Sequence, residues 1–307
     1  MTKLKEKIIQ KTGNILLYGL TPPKKTNTPE RIQEIAQRQL QQVEDLPLDG
    51  IILYDIQDEA DRTDEKRPFP FMESVDPRVY ADEYLKDSTL PKVVYRCVGK
   101  YTPDDFHTIL SDRKGLDTFN VFVGAASQNQ IVNIKLPEAY TMRKKVNPEV
   151  ILGGVAIPER HLSKHNEHLR IVEKMEQGCS YFVSQAVYNV GASKDFLSDY
   201  YYHCKKNNIS LAPIIFTFAP CGSEKTLNFM KWLGVNIPKW LENDLLHSEN
   251  ILEESVAFCI RNAKLLHNYA REKGIPIGFN VESVSIRKAE IEASLELVKE
   301  FDKILNS

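Results

Sequence analysis

What the chain has little of narrows its chemistry first. Its five cysteines, Cys97, Cys179, Cys204, Cys221 and Cys259, form no CxxC pair and have no histidine at metal-ligand spacing. Neither a disulfide framework nor a metal site is therefore expected. The thiols read as reduced, small apolar side chains; Cys221, between Pro220 and Gly222, is the one whose loop setting invites a reactivity test. The longest apolar runs, such as 211–218, fall far short of the roughly 20 residues that span a bilayer. The charged stretch 1–11 lacks the apolar core of a secretory signal, so a cytoplasmic location is expected. Nor is there a surplus of charge: 40 basic against 42 acidic side chains leave −2, which creates no field to recruit nucleic acid or an anionic membrane. Gly- or Ser-rich linkers, internal repeats and a GxGxxG loop are missing too.

What is present is an alternation. Short β-branched runs at 14–18, 50–55, 92–97, 119–124, 150–156, 181–185, 211–216 and 276–281 read as eight strands, with helical periodicity between them. Thr28-Pro29 is a helix-start signal, followed by Ile32, Ile35, Ala36, Leu40 and Val43 on one face. Thr102-Pro103 repeats the signal, and Gly178 supplies a stop. Val256, Cys259, Ile260, Ala263 and Leu266 make an apolar stripe, as do Ile291, Leu295, Val298, Phe301 and Leu305. Without a dinucleotide-binding loop, the eight units are expected to close into a (β/α)8 TIM barrel rather than a doubly wound sheet. Residues 1–307 are read as one α/β domain with an irregular insertion near 58–79.

In such a barrel the functional residues stand at the C-terminal strand ends. There the most informative stretch is 152–189: Gly153-Gly154-Val155-Ala156-Ile157-Pro158-Glu159-Arg160-His161, a helix with Lys174, then Tyr181 to Gln185 and Ala186-Val187-Tyr188-Asn189. Together with Thr21-Pro22-Pro23 and Asn236-Ile237-Pro238-Lys239-Trp240, this pattern resembles the flavin-dependent methylenetetrahydrofolate reductases. The resemblance implies FAD across the barrel top, NAD(P)H as reductant and a folate substrate. It places His161 and Lys174 beside the cofactor, and Gln185 and Arg287 against the folate.

Two departures accompany the matches. The family carries an acid just before its double proline, where this chain has Gly19, and a second acid after strand four, where it has Ala125. Ile157 also replaces a common aromatic. A glycine cannot transfer a proton, so another acid must serve, and Asp55 and Glu282 are the candidates, with Glu159 and Tyr188 also on the expected face. Three readings stay open: a reductase, a folate- or partner-binding protein without redox activity, and a barrel for another one-carbon or methyl-transfer reaction. A homo-oligomer is compatible with all three.

Overall fold

The computed structural model describes residues 2–59, 64–112, 119–125 and 131–307. Eight parallel strands close into a ring: β1 (Ile15–Leu20), β2 (Gly50–Leu53), β3 (Lys92–Cys97), β4 (Phe119–Val123), β5 (Ile151–Ala156), β6 (Cys179–Ala186), β7 (Ile214–Phe218) and β8 (Ile277–Glu282). Each pairs with its successor, and β8 returns to β1 in the register Ile15 with Gly278 through Gly19 with Glu282. Strand seven begins later than the apolar run suggested, because Pro213 has no N–H to give the ladder; Ile214 makes the first bond, to Pro276 O.

The helices are α1 (Lys3–Gln10), α2 (Pro29–Val43), α3 (Pro77–Val79), α4 (Pro103–Ser111), α5 (Leu136–Val146), α6 (Pro158–Lys164), α7 (Glu167–Glu176), α8 (Val190–Asn207), α9 (Glu224–Trp232), α10 (Lys239–His247), α11 (Ile251–Lys273) and α12 (Lys288–Leu305). Local chemistry sets many of their starts. Thr28 accepts the Arg31 N–H, Thr102 that of Asp105, and Asn250 those of Leu252 and Glu253. Gly178 ends the α7 region at φ +101, a left-handed turn that favours glycine. The 158–161 stretch, expected ahead of the helix with Lys174, is itself helical: α6 runs to Lys164, His165 turns left-handed (φ 47) and α7 starts afresh.

Strand alternation divides the core into two layers. Outward residues such as Leu16, Leu53, Phe182, Phe216 and Phe279 pack under the helices. Inward residues Ile15, Leu17, Ile52, Val93, Phe119, Val121, Tyr181 and Ile215 fill the barrel, joined by Leu4 and Ile8 of α1, which seal its N-terminal end. Among the described residues no helix is long and apolar enough to cross a membrane.

Candidate functional site

Toward the C-terminal end the barrel interior turns polar. The inward positions there are Gly19 on β1, Tyr54 after β2, Gln185 on β6, Thr217 on β7, and Asn280 and Glu282 on β8. Asn280 is fully buried; its Nδ2 donates to Tyr54 Oη at 2.9 Å and to Thr217 Oγ1 at 3.2 Å. Its Oδ1 is buried without a partner, a state that costs about 1–3 kcal/mol and that a ligand N–H would relieve. Tyr54 in turn hydrogen-bonds Glu282, and its ring meets Tyr95 edge-on at 5.0 Å. Burial raises the Glu282 carboxyl above its ordinary range, only partly opposed by the Tyr54 hydrogen bond, so the group keeps its proton to higher pH than a solvated glutamate.

Gly19 belongs to the same assembly. A Cβ added there would lie 2.7 Å from the Tyr54 ring, 2.9 Å from its hydroxyl and 3.1 Å from Glu282 Cβ. The side chain absent from β1 thus leaves the space taken by Tyr54, and the β1–β8 register sets a carboxylate beside the vacated position.

The other candidates are held differently. Asp55 points away from the interior: its Oδ2 accepts the Cys97 N–H at 2.8 Å and its Oδ1 the Lys100 ammonium at 2.8 Å. Gln185 donates to Leu233 O at 2.9 Å, at a point where the β6–β7 register shifts. Arg287 is exposed beyond β8, 3.7 Å from the buried Glu290 carboxylate. His161 and Lys174 stand in the helix layer. His161 Nε2 lies 3.0 Å from Asp199 Oδ2, while Lys174 packs along Gly154 and donates to Val155 O at 2.6 Å. Burial lowers the Lys174 pKa, with the Glu167 charge opposing it.

Glu159 has both carboxylate oxygens buried and unpartnered; burial, reinforced by the Glu167 charge, pushes its pKa up to about 7. Glu167 also pins the turn after β5 by accepting the Ile157 N–H at 2.9 Å. Tyr188 is a packing residue, buried with its hydroxyl on Ala219 O and Ser255. Cys221 is buried too, and burial pushes its thiol up to about 12, so the reactivity its loop suggested is not available. Ala125 is exposed at the rim, next to Gly124, whose carbonyl accepts Gln57.

Two features of the site escaped the sequence reading. The first is the shape of the 58–79 segment, of which 60–63 lie outside the described residues. From β2 it crosses to α9, where Arg67 sits over the rings of Phe71, Phe229 and Trp232 at 5.0–5.5 Å and Trp232 donates to Glu65 O. It then returns past the β1 turn, where Val75 N bonds Pro23 O and Lys25 N bonds Glu73 O. This strap therefore joins the β7 and β1 sides of the mouth, around β8 and Glu282. Its mixture of Arg, Phe and Pro was visible as irregularity, though not as docking. The second feature is a cluster of His161, His168 and Asp199, whose ligand atoms lie within 4.8 Å of one another. The spacing of His161, His165 and His168 was the available signal.

The fold and mouth define a TIM barrel whose polar groups converge where such barrels bind ligands. An uncharacterized protein from Clostridium thermocellum that binds two copies of 5-methyl-5,6,7,8-tetrahydrofolic acid is 53% identical, with a TM-score of 0.89 over 98% of this chain and 99% of that one. The chain belongs to the family of that Clostridium protein. An F420-dependent secondary alcohol dehydrogenase in complex with an F420-acetone adduct (10% identity, TM-score 0.53, 94% and 99% covered) and a GH113 β-1,4-mannanase (12%, 0.50, 94% and 98%) share the fold alone. No protein-family model and no curated protein matches the chain.

Proposed function

We propose that this protein binds a reduced folate of the 5-methyltetrahydrofolate class in the mouth of its barrel. The carrying observation is the 53% identity, over nearly the whole of both chains, to a protein that binds that compound. The geometry supports the reading. A pterin ring carries N–H donors and acceptors along one edge; the unpartnered Asn280 Oδ1 is an acceptor for such an N–H, and burial favours the neutral, donating form of Glu282. Titration calorimetry with 5-methyltetrahydrofolate is the test. Saturable binding, weakened roughly tenfold or more by Asn280→Ala, is the expected result; a titration without binding heat at several temperatures removes the reading.

A second reading is supported by the β1–β8 register. Glu282 stands beside Gly19, where the methylenetetrahydrofolate reductases carry their acid, so a carboxyl whose pKa burial raises is supplied from the neighbouring strand. In this reading the protein reduces methylenetetrahydrofolate with NAD(P)H. FAD would supply the hydride relay, but the residues present do not form its diphosphate cradle: Lys174 is committed to Val155 O and His161 to Asp199. The part drawn from this chain is therefore limited to Glu282 holding and delivering a proton to the pterin. Oxidation of NAD(P)H that depends on methylenetetrahydrofolate and added FAD supports this reading; none under those conditions leaves folate binding without reduction.

A further inference from the structure

On the outer wall of the barrel, three helices bring together a set of side chains that the mouth does not use. His161 on α6, His168 on α7 and Asp199 on α8 each present one ligand atom, and His161 Nε2 already lies 3.0 Å from Asp199 Oδ2. The Nδ1 atoms of His161 and His168 are buried without a hydrogen-bond partner. Two more imidazoles complete the cluster: the His203 ring is 5.5 Å from that of His168, and the His165 ring 5.9 Å from that of His161. A buried ring nitrogen without a partner costs free energy that an apolar side chain would avoid; since His161 meets Asp199 through Nε2, the orphan that an ion in the cluster can relieve is that of His168.

We infer that His161, His168 and Asp199 form a binding site for a divalent transition-metal ion of the zinc class. Two imidazole nitrogens and one carboxylate suit zinc and its first-row neighbours, whereas magnesium and calcium need mostly oxygen ligands. Ligand atoms about 2 Å from zinc in a tetrahedral site stand roughly 3.3 Å apart. The His161–Asp199 pair is near that spacing, and the His168 ligand atom lies within 4.8 Å of both. His203, one turn beyond Asp199 on α8, packs its ring 5.5 Å from that of His168 but is not among the three clustered ligands, so water would complete the coordination. A bound ion would tie α6 and α7 to α8, fixing the helices that follow β5 and β6.

The test uses tag-free, chelator-stripped full chain titrated with Zn²⁺ by calorimetry and with Co²⁺ by visible absorption. The expected result is one equivalent bound, tetrahedral Co²⁺ bands and a higher melting temperature with metal. His168→Ala and Asp199→Ala, both at positions open enough to leave folding intact, each weaken binding roughly tenfold or more. Failure to bind one equivalent of either ion overturns the inference, as does affinity that is unchanged in both variants.

Discussion

Glu282 and Asp55 are carboxylates at strand ends only two places apart around the barrel, yet the structure gives them opposite conditions. Asp55 faces the helix layer, where a backbone N–H and an ammonium satisfy it and tie the ends of β2 and β3 together. Glu282 faces inward, with a tyrosine hydroxyl as partner and burial favouring its neutral form. What differs is strand parity, since one step along a strand moves a side chain from one face of the sheet to the other. An acid is available for chemistry where its charge is left unsatisfied, and serves as a brace where it is satisfied.

Four substitutions test that contrast, the largest effect first. Glu282→Gln should slow any folate-dependent proton transfer by roughly a hundredfold or more. In the unmodified chain the rate should fall as pH rises through the elevated Glu282 pKa, since only the protonated carboxyl donates; steady-state pH profiles should show this limb vanish in the variant. Asp55→Ala should do the reverse, lowering stability by about 2 kcal/mol, a moderate figure because Lys100 stays partly solvated, while folate affinity in calorimetry moves by less than about threefold. A variant that kept its denaturation midpoint but lost turnover would exchange the two roles.

Gly19→Ala should push the Tyr54 ring aside and disturb Asn280 and Glu282 together, at a cost of about 1–3 kcal/mol in urea unfolding and a matching fall in folate affinity. The last of the four concerns Glu159, whose effect is confined to a pH window. Its folded pKa of about 7 lies above the ordinary 4.5, so the folded state binds the proton more tightly and stability should decline as pH rises between those values. Thermal melts of Glu159→Gln should show a shallower decline over that window.

Features written in local chemistry were legible in the sequence. The strand runs, Thr28-Pro29, Thr102-Pro103 and the Gly178 stop all depend on neighbours a few residues away, and the closed barrel followed from their order. That Gly19 and Ala125 carry no acid was legible as well. That Glu282 stands beside Gly19 was not, because the adjacency exists only once the last strand meets the first. For the same reason Asp55 and Glu282 looked alike: each follows an apolar run, and the inward or outward parity is fixed by barrel closure. Arg67 needed α9 to become an anchor rather than one more charge in an irregular loop. His161 was expected ahead of the helix that carries Lys174; instead it lies on a helix of its own, and the left-handed turn at His165 separates that helix from the one bearing His168, so that both histidines meet Asp199 of α8.

The plug that Leu4 and Ile8 of α1 form at the foot of the barrel has a kinetic meaning. With the foot stoppered and the interior filled by packed side chains, the polar mouth is open from one side only. Any ligand taken up at the polar mouth must leave by the route along which it arrived, so an incoming and an outgoing molecule compete for passage.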